Sequence, residues 1–379
     1  MISSHEIYLD NSATTQVGQK VAVKVCEMLT DNYGNPSSLH SKGFQAQKVL
    51  DETRIQIAQK LGVEDKEIFF TSGGTEANNL ALIGTALKRR KMGNKIITSA
   101  IEHSSVLETC GYLESLGFEV VYLPVSEEGV VRVEDISNAI DNKTILVSLM
   151  YANNEIGTIQ PVEKVHTLLK RKKSQAYFHI DAVQAFGKIP FKNTRLQADM
   201  ISVSAHKIHA PKGVGAIYIK KGTNLIPRQF GGEQQRKIRP GTESTALIAG
   251  FGQAVQEMDY GYLLKMQHLN DYLRRQLIQM EDIHINSPEN ALPYIINFSV
   301  ANIKSETMVH FLEEKAIYVS SGSACAKGKQ SHVLRAMKLP KNLSDTAIRV
   351  SFSKYNTTED IDRLVEALSQ GIQTLAKMK

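Results

Sequence analysis

A cysteine, a lysine and an aspartate are the residues of this chain whose types and surroundings suggest chemistry. Cys325 ends the run Val319-Ser-Ser-Gly-Ser-Ala-Cys325 and is followed by Ala326-Lys-Gly-Lys-Gln330, where no apolar periodicity indicates a core. Its glycine and serine neighbours give backbone freedom and little to pack against, so we expect a reactive thiol on an exposed loop. Cys26 and Cys110 continue the apolar stripes of predicted helices, and we expect them to be inert packing residues.

The lysine and the aspartate follow neighbouring strand patterns. Asp181 comes directly after the apolar run 177–180, and Lys207 follows the run 200–203. Because the carboxyl ends of parallel strands meet at one edge of a sheet, we expect both side chains at that edge. Pyridoxal phosphate needs an amine that forms a Schiff base and a carboxylate that keeps the pyridine nitrogen protonated. A surface ion pair is the alternative interpretation.

A small-residue turn upstream could hold the phosphate of such a cofactor. The segment from Glu67 to Ala77 predicts a strand, a turn at Gly73-Gly74-Thr75 and the start of a helix. Such a turn offers backbone N–H groups and the positive end of a helix to an anion. A plain strand-to-helix connection with Thr75 as N-cap is the alternative. The sequence excludes a dinucleotide site, because no G-x-G-x-x-G pattern opens a helix and no Walker lysine pattern is present.

The elements that position these residues alternate regularly between strand and helix from about Lys66 onward, which predicts an α/β fold with a mostly parallel sheet covered by helices. We assign residues 17–260 to a large cofactor-binding domain. Residues 1–16 and 261–379 would form a smaller α+β domain that carries the Cys325 loop. The predicted strands are 67–70, 95–98, 119–123, 144–148, 177–180, 200–203 and 216–219, and the predicted helices include 77–88, 105–116, 162–169 and one long helix over 245–280.

Composition places the chain among ordinary globular proteins. It has 379 residues, of which 42% are hydrophobic and 22% charged, and a formal net charge of +6. The apolar runs are too short to span a bilayer, and the first residues lack the features of a signal peptide, so we expect a cytoplasmic protein without membrane contact. Three separated cysteines without a C-x-x-C pair argue against a disulfide framework and against a metal site. The basic runs 88–91 and 170–173 end predicted helices, which explains them without direct nucleic-acid binding.

Ten short motifs follow one another along almost the whole chain. They are Tyr8–Thr15, Asn35–His40, Ser72–Asn79, Glu102–Val106, Asn153–Gly157, His179–Gln184, Ser204–Lys207, Arg239–Thr242, Ser321–Cys325 and Ile348–Phe352. In this order they resemble the cysteine desulfurases of the NifS and IscS kind, which are class V aminotransferases within the fold-type I pyridoxal-phosphate enzymes. The resemblance implies that fold, that activity and that cofactor.

The resemblance also implies roles for residues around the cofactor ring. Lys207 would bind the cofactor as a Schiff base, and Asp181 would pair with the ring nitrogen. His103 would stack on the ring and move protons, and Gln184 would reach the phenolic oxygen of the ring. The phosphate would be held by Gly74, Thr75, Ser204 and His206 of one subunit and by Thr242 of the neighbouring subunit of a homodimer.

The substrate implied by the resemblance is free L-cysteine. Arg349 would clamp its carboxylate, and Asn154 and Asn35 would help to orient it. Cys325 would attack the substrate sulfur, keep it as a persulfide and release L-alanine. The sulfur would then pass to an acceptor protein, either a scaffold of iron–sulfur cluster assembly or a tRNA-thiolation enzyme. The run before Cys325 resembles the long-loop members of the family, whereas the stretch 326–332 is shorter and more basic than we expect for such members.

Two other functions are compatible with parts of this pattern. The first is another class V enzyme, a selenocysteine lyase or a small amino-acid transaminase, in which Cys325 has no role. The second is a non-catalytic interaction protein that has kept the fold. The second is disfavoured, because such a protein has no reason to keep the lysine, aspartate, histidine, glutamine and arginine together.

Overall fold

The computed structural model describes residues 6–321 and 331–375. The strands are β1 (Ile7–Tyr8), β2 (Ile68–Thr71), β3 (Lys95–Ser99), β4 (Glu119–Leu123), β5 (Thr144–Met150), β6 (Tyr177–Asp181), β7 (Met200–Ser204), β8 (Gly215–Ile219), β9 (Ile283–Ile285), β10 (Ile295–Val300), β11 (Ile317–Tyr318) and β12 (Ala347–Ser351). The helices are α1 (Gln19–Thr30), α2 (Ser41–Leu61), α3 (Gly74–Arg89), α4 (Ser104–Ser115), α5 (Val133–Ala139), α6 (Val162–Arg171), α7 (Asn193–Leu196), α8 (Thr245–Gln256), α9 (Tyr262–Ile278), α10 (Ser305–Glu313), α11 (His332–Ala336), α12 (Lys341–Ser344) and α13 (Thr358–Thr374). Within these described ranges, no helix has both the length and the apolar character that crossing a membrane requires.

A mostly parallel sheet forms the centre of the larger part of the molecule. In the described chain it has seven strands in the order β2-β8-β7-β6-β5-β3-β4. Strand β8 pairs antiparallel with both of its neighbours, and the other pairs are parallel. Every residue of β5 and β7 is buried, as expected for strands covered on both faces. The predicted α/β fold is confirmed, and the seven predicted strands match the observed ones to within two residues.

The C-terminal part has a core of its own. Strand β10 lies between β9 and β12 in an antiparallel sheet, and β1 pairs in parallel with β11. Ile7 and Leu9, near the N-terminus, are buried in one apolar cluster with Phe298 and Leu364. The N-terminal segment therefore packs with the C-terminal elements. The assignment of residues 1–16 and 261–379 to one smaller domain stays a prediction.

The single long helix predicted over 245–280 is wrong. Helix α8 ends at Gln256 and α9 begins at Tyr262. Phe251 of α8 belongs to the core around the large sheet, whereas Leu273 of α9 belongs to the core of the C-terminal sheet. One straight helix could not bury its apolar stripe in both cores. The chain turns between the helices, where the Asp259 side chain accepts the N–H of Gly261 at 2.8 Å.

The two cysteines expected in cores differ from each other. Cys110 is fully buried in α4, as predicted, but Cys26 is exposed, so that prediction is wrong for Cys26. Helix α1 buries Val21 and Met28. Since consecutive residues are about 100° apart on a helix, Cys26 lies nearly opposite Met28 and faces away from the buried side.

Candidate active site

The predicted residues converge at the carboxyl edge of the large sheet. Strands β2, β3, β5, β6 and β7 all run in the same direction, because only β8 is reversed among the described strands. Asp181 is the last residue of β6, and Lys207 follows β7 in a short turn. His103 and Asn154 follow β3 and β5 in the same way. Binding sites of parallel α/β sheets characteristically lie at this edge.

The N-terminal segment passes beside Lys207 and contacts it directly. The Nζ of Lys207 donates hydrogen bonds to the carbonyl oxygens of Ser12 and Ala13, at 2.5 and 2.7 Å. The neighbouring His206 has its Nδ1 3.2 Å from the hydroxyl of Thr14. Burial, with a smaller effect of the positive Lys207, lowers the pKa of His206 to about 4. The motif that contains Ser12 and Ala13 contributed to the resemblance, but nothing in its residue types predicted that these two carbonyls contact Lys207.

Asp181 is a buried carboxylate held by two donors. Its Oδ2 accepts the side-chain amide of Asn78 at 2.7 Å, and its Oδ1 accepts the N–H of Val183 at 3.0 Å. Asn78 of α3 also donates to Ser105 Oγ at 2.9 Å. The side chain is 5% exposed, so the alternative of a surface ion pair is wrong for Asp181. A fixed, buried carboxylate at this edge can hold a cationic nitrogen.

His103 is the N-cap of α4 and has a defined orientation. Its Nδ1 accepts the backbone N–H of Ser105 at 3.1 Å and lies 2.9 Å from the hydroxyl of the same residue. In the neutral ring the proton is therefore on Nε2. Burial lowers the pKa of His103; Asp181 acts against this shift, and Lys207 adds to it. The imidazole thus interacts electrostatically with both residues, and because its pKa is lowered it is neutral near pH 7.

The predicted phosphate turn is a helix start with glycine as N-cap. Helix α3 begins at Gly74, and the N-cap Gly73 has φ 155°, a conformation that side chains rarely adopt. Thr75 lies inside the first turn, so its alternative role as N-cap is wrong. A Cβ on Gly74 would lie 2.7 Å from Val183 Cγ2, so glycine permits the close approach of the loop after β6. A Cβ on Gly73 would lie 3.9 Å from Ser204 Oγ, which places this hydroxyl beside the turn.

Arg349 on β12 is almost completely buried, but not all of its N–H donors are hydrogen-bonded to described residues. Its Nη2 donates to Asp10 Oδ1 at 2.7 Å, and its Nη1 donates to the backbone oxygen of Asn154 at 2.9 Å. The side chain is 2% exposed, and its Nε has no hydrogen-bond partner among the described residues. A buried guanidinium N–H without a partner is a donor that a carboxylate can accept from.

Two of the predicted residues are not brought to this edge within the described chain. Asn35 is exposed, and its Oδ1 accepts the N–H of Ser37 at 2.9 Å in a local turn. Thr242 is also exposed and lines a surface depression with residues 228–232. Its assignment to the neighbouring subunit stays a prediction. Cys325 lies outside the described residues.

The chain on both sides of residues 322–330 is attached to the site. Ser320 exchanges two backbone hydrogen bonds with Arg349, at 3.1 and 2.7 Å. The hydroxyl of Ser331 donates to Glu155 Oε2 at 2.5 Å, and His332 Nε2 lies 2.9 Å from the backbone oxygen of Glu102. These contacts connect both ends to segments that carry Arg349, Asn154 and His103.

Two buried glutamates next to the site were missed by the sequence analysis. Burial raises the pKa of Glu155 to about 7, although the Ser331 hydrogen bond and Arg349 act against the shift. Burial also raises the pKa of Glu102 to about 8. Charged residues are rarely buried in full, so composition alone predicts them at the surface. Their membership of two motifs was the only available signal.

The chain is similar to known proteins over nearly its whole length. The profile of the family "Aminotransferase class-V" matches residues 7–364. The chain is 42% identical over 381 residues to the protein named cysteine desulfurase IscS of Methanosarcina thermophila, which covers 98% of this chain and 93% of that protein.

Two solved structures are also similar to the chain. One is named NifS-like protein and has a TM-score of 0.93 at 40% identity, covering 98% of this chain and 100% of the other. The second is described as SspA in complex with cysteine, with a TM-score of 0.83 at 34% identity over 93% of this chain and 100% of the other. The resemblance predicted from the ten motifs is confirmed. The chain belongs to the aminotransferase class-V family, and its similarity to cysteine desulfurases extends over nearly its full length.

Proposed function

We propose that the protein is a cysteine desulfurase that uses pyridoxal phosphate to convert L-cysteine to L-alanine and keeps the sulfur on Cys325. The observation that carries this proposal is the placement of Lys207 and Asp181 at the ends of adjacent parallel strands, with His103 after β3 at the same edge of the sheet. The similarity to proteins named cysteine desulfurase supports the choice of this reaction within the family.

The residues at the sheet edge fit the cofactor. Lys207 provides the amine, and the buried carboxylate of Asp181 suits a protonated pyridine nitrogen. First-turn N–H groups of α3 have no intrahelical acceptor, so Gly74 and Thr75, with Ser204, offer donors for the phosphate. His206, Gln184 and the partner-provided Thr242 complete the proposed set. When bound, the cofactor supplies an electron sink for bonds at the substrate Cα and Cβ.

Arg349 supports an amino-acid substrate rather than an amine. Its Nε is a buried donor, and Asp10 together with the Asn154 backbone holds the rest of the guanidinium in place. We assign the Asn154 and Asn35 side chains to the orientation of the substrate. His103 exchanges protons at Nε2, because its Nδ1 is occupied by Ser105.

The sulfur transfer is a displacement at the substrate sulfur. The Cys325 thiolate attacks this atom, an S–S bond forms, and the Cβ–S bond breaks with its electron pair remaining on Cβ. Protonation of Cβ then gives alanine, so one cysteine yields one alanine and one enzyme persulfide. Cys325 is five residues from Ser320, whose backbone is paired with Arg349. A chain of that length spans at most about 18 Å, so the thiol can remain near the substrate carboxylate.

We further propose a cytoplasmic homodimer that delivers its sulfur to an iron–sulfur scaffold or a tRNA-thiolation enzyme. Large apolar side chains are exposed along residues 29–44, which include Leu29 at 63%, Tyr33 at 67%, Leu39 at 106% and Phe44 at 73%. Exposed apolar groups concentrated in one stretch are typical of an interface. The proposed role of Thr242 also requires a second subunit.

Product analysis tests the reaction. Purified protein with pyridoxal phosphate, L-cysteine and a thiol reductant is expected to release alanine and sulfide in equal amounts. Cys325→Ala should keep the visible absorption of the bound cofactor and lose sulfide release, and Cys26→Ala is the matched control with full activity. A keto acid in place of alanine, or full activity of Cys325→Ala, would contradict the proposal and favour a transaminase or a selenocysteine lyase.

A further inference from the structure

A second lysine, Lys188, is buried next to the site, and neither the motifs nor the proposed reaction uses it. Its side chain belongs to a residue that is 5% exposed, in the turn that follows β6. Gly187 makes this position possible. It has φ 79°, and a Cβ there would lie 2.6 Å from Ile208 Cγ2 and 2.7 Å from Met258 Cε. The chain can therefore bring Lys188 close to the Lys207 turn only with glycine at 187.

Lys188 is connected to Lys207 through a chain of hydrogen bonds. Its Nζ donates to Gln184 Oε1 at 2.5 Å. The other end of the same amide, Nε2, donates to the carbonyl oxygen of Ser12 at 3.0 Å. That carbonyl also accepts from Lys207 Nζ, at 2.5 Å. Since a carbonyl can only accept, and the amine donates to Oε1, the Gln184 amide has one orientation in this chain.

The surroundings of Lys188 are unusual for a residue that only fills space. Its hydrogen-bond partner is a neutral amide rather than a carboxylate, and the ring of Tyr294 lies 5.8 Å from Nζ. Burial, followed by the positive charges of Lys207 and Arg349, holds the pKa of Lys188 well below its ordinary value. An amine in such a place is destabilising compared with an apolar side chain of equal size. Its contact with Gln184 is the feature that an apolar residue could not replace.

We propose that Lys188 is a positioning residue, which holds the Gln184 amide so that its N–H groups face Ser12 and the cofactor side of the site. This inference rests on the proposed function, because it acts on the cofactor through Gln184. Lys188 donates to Oε1 and leaves both hydrogens of Nε2 pointing away from itself. One of them binds Ser12, and the second would be available to the phenolic oxygen of the ring when the cofactor is bound. Without Lys188, Oε1 is a buried acceptor without its donor, and only the hydrogen bond to Ser12 orients the amide.

A double-mutant cycle with Lys188→Met and Gln184→Leu tests the proposal. The measured quantity is the pH midpoint of the visible absorption band of the bound cofactor. We expect Lys188→Met to raise this midpoint by about one pH unit, because the ring oxygen loses a donor that favours its anionic form. In the Gln184→Leu background the same substitution should change the midpoint by less than about a third of that shift.

Two further variants control for charge and folding. Lys192→Met removes an exposed lysine four residues along the same segment and should leave the midpoint unchanged. Lys188→Gln keeps an N–H donor and takes the place of Lys188→Met if the latter does not fold. We expect its midpoint to shift from the wild-type value by at most half of the shift expected for Lys188→Met. The apoproteins are compared in parallel by urea denaturation, in which the coupling between positions 188 and 184 is measured without cofactor.

The outcomes separate this inference from the proposed function. An equal midpoint shift in both backgrounds means that Lys188 acts through its own charge, and no shift in either means that it has no role; each result overturns the inference and leaves the proposed function intact. A wild-type protein without a visible band, or a band that survives Lys207→Ala, overturns the proposed function itself. In that case coupling in the apoprotein alone would reduce Lys188 to a structural residue.

Discussion

The Nη2 of Arg349 lies 2.7 Å from Asp10 Oδ1, across 339 residues of sequence, and the arginine side chain is 2% exposed. Because Asp10 belongs to the N-terminal segment and Arg349 to β12, this pair fixes the first residues of the chain against the C-terminal sheet. Removing the partner of a buried guanidinium leaves an uncompensated charge in the protein interior, which strongly destabilises the folded state.

Asp10→Asn should therefore destabilise the apoprotein. The amide keeps an acceptor oxygen but removes the negative charge, so we expect the free energy of unfolding to fall by about 2 kcal/mol, as measured by urea denaturation. Asp135→Asn, which removes the exposed ion pair of Arg132, is the control and should leave the transition in place. An Asp10→Asn protein as stable as the wild type would show that the pair contributes little.

The buried carboxyl group of Glu102 predicts a pH dependence of stability. Its Oε1 accepts from Ser99 Oγ at 2.6 Å and from the N–H of Met150 at 2.9 Å, while Oε2 has no partner among the described residues. Burial raises its pKa from 4.5 to about 8, against the effect of these hydrogen bonds. The folded state thus keeps the proton over a pH range in which the unfolded chain has lost it. Its contribution to stability is complete below about pH 4.5 and is lost as the pH rises through about 8.

Glu102→Gln imitates the protonated group and should flatten this dependence. We expect the free energy of unfolding of the wild-type apoprotein, measured by urea denaturation, to fall relative to that of the variant between pH 5 and 8, with a slope of at most about 1.4 kcal/mol per pH unit. Glu108→Gln, at an exposed position of α4, serves as the control and should follow the wild type. Parallel curves for the wild type and Glu102→Gln would show that Glu102 titrates as in an unfolded chain.

The turn proposed to hold the phosphate is stabilised by Glu76. Its carboxylate accepts the N–H of Ser72 at 2.7 Å and is bound by Arg239 Nε at 2.8 Å and Nη2 at 3.3 Å. Burial alone would raise the pKa of Glu76, but the hydrogen bonds from Arg239 and Ser72 hold it below its ordinary value. The same ion pair connects the segment of Thr242 to the turn.

We expect Glu76→Gln to weaken the binding of pyridoxal phosphate about tenfold, since it loses a charge-assisted hydrogen bond of about 1.4 kcal/mol. Titration of the apoprotein with the cofactor, followed by absorbance, measures the change. Glu233→Gln removes the exposed ion pair with Lys237 and provides the comparison. Equal affinities of the two variants for pyridoxal phosphate would show that the Glu76–Arg239 pair does not contribute to cofactor binding.

Strand positions and the residues at strand ends could be predicted from the sequence. Asp181 and Lys207 follow the mainly apolar runs 177–180 and 200–203, and the edge at which such runs end is determined by parallel pairing. The long helix over 245–280 could not be corrected in the same way. Its apolar periodicity is nearly continuous, and only the existence of two cores, which the pattern does not reveal, requires the break before Tyr262.

Sequence patterns could not predict the contacts inside the site, for another reason. Lys188 and Glu102 are charged residues, and local sequence does not distinguish a buried charge from an exposed one. The carbonyl of Ser12 accepts from Lys207, which is 195 residues away in the sequence. Every residue type has this backbone carbonyl, so the residue type at position 12 does not reveal the contact. The role of Thr242 rests on the resemblance alone, whereas the residues around Cys325 already suggested a reactive thiol.

The central claim is that Lys207 is the amine that binds the cofactor, and the structure offers a demanding comparison. Lys188 and Lys207 line the same small cavity, so Lys188 is the neighbouring amine against which the assignment of Lys207 has to be tested. Borohydride reduction of the cofactor-loaded protein, followed by digestion and mass spectrometry, identifies the modified residue. The account predicts the reduced cofactor on the peptide that contains Lys207. Modification of Lys188 in the wild-type protein, with Lys207 unmodified, would contradict it.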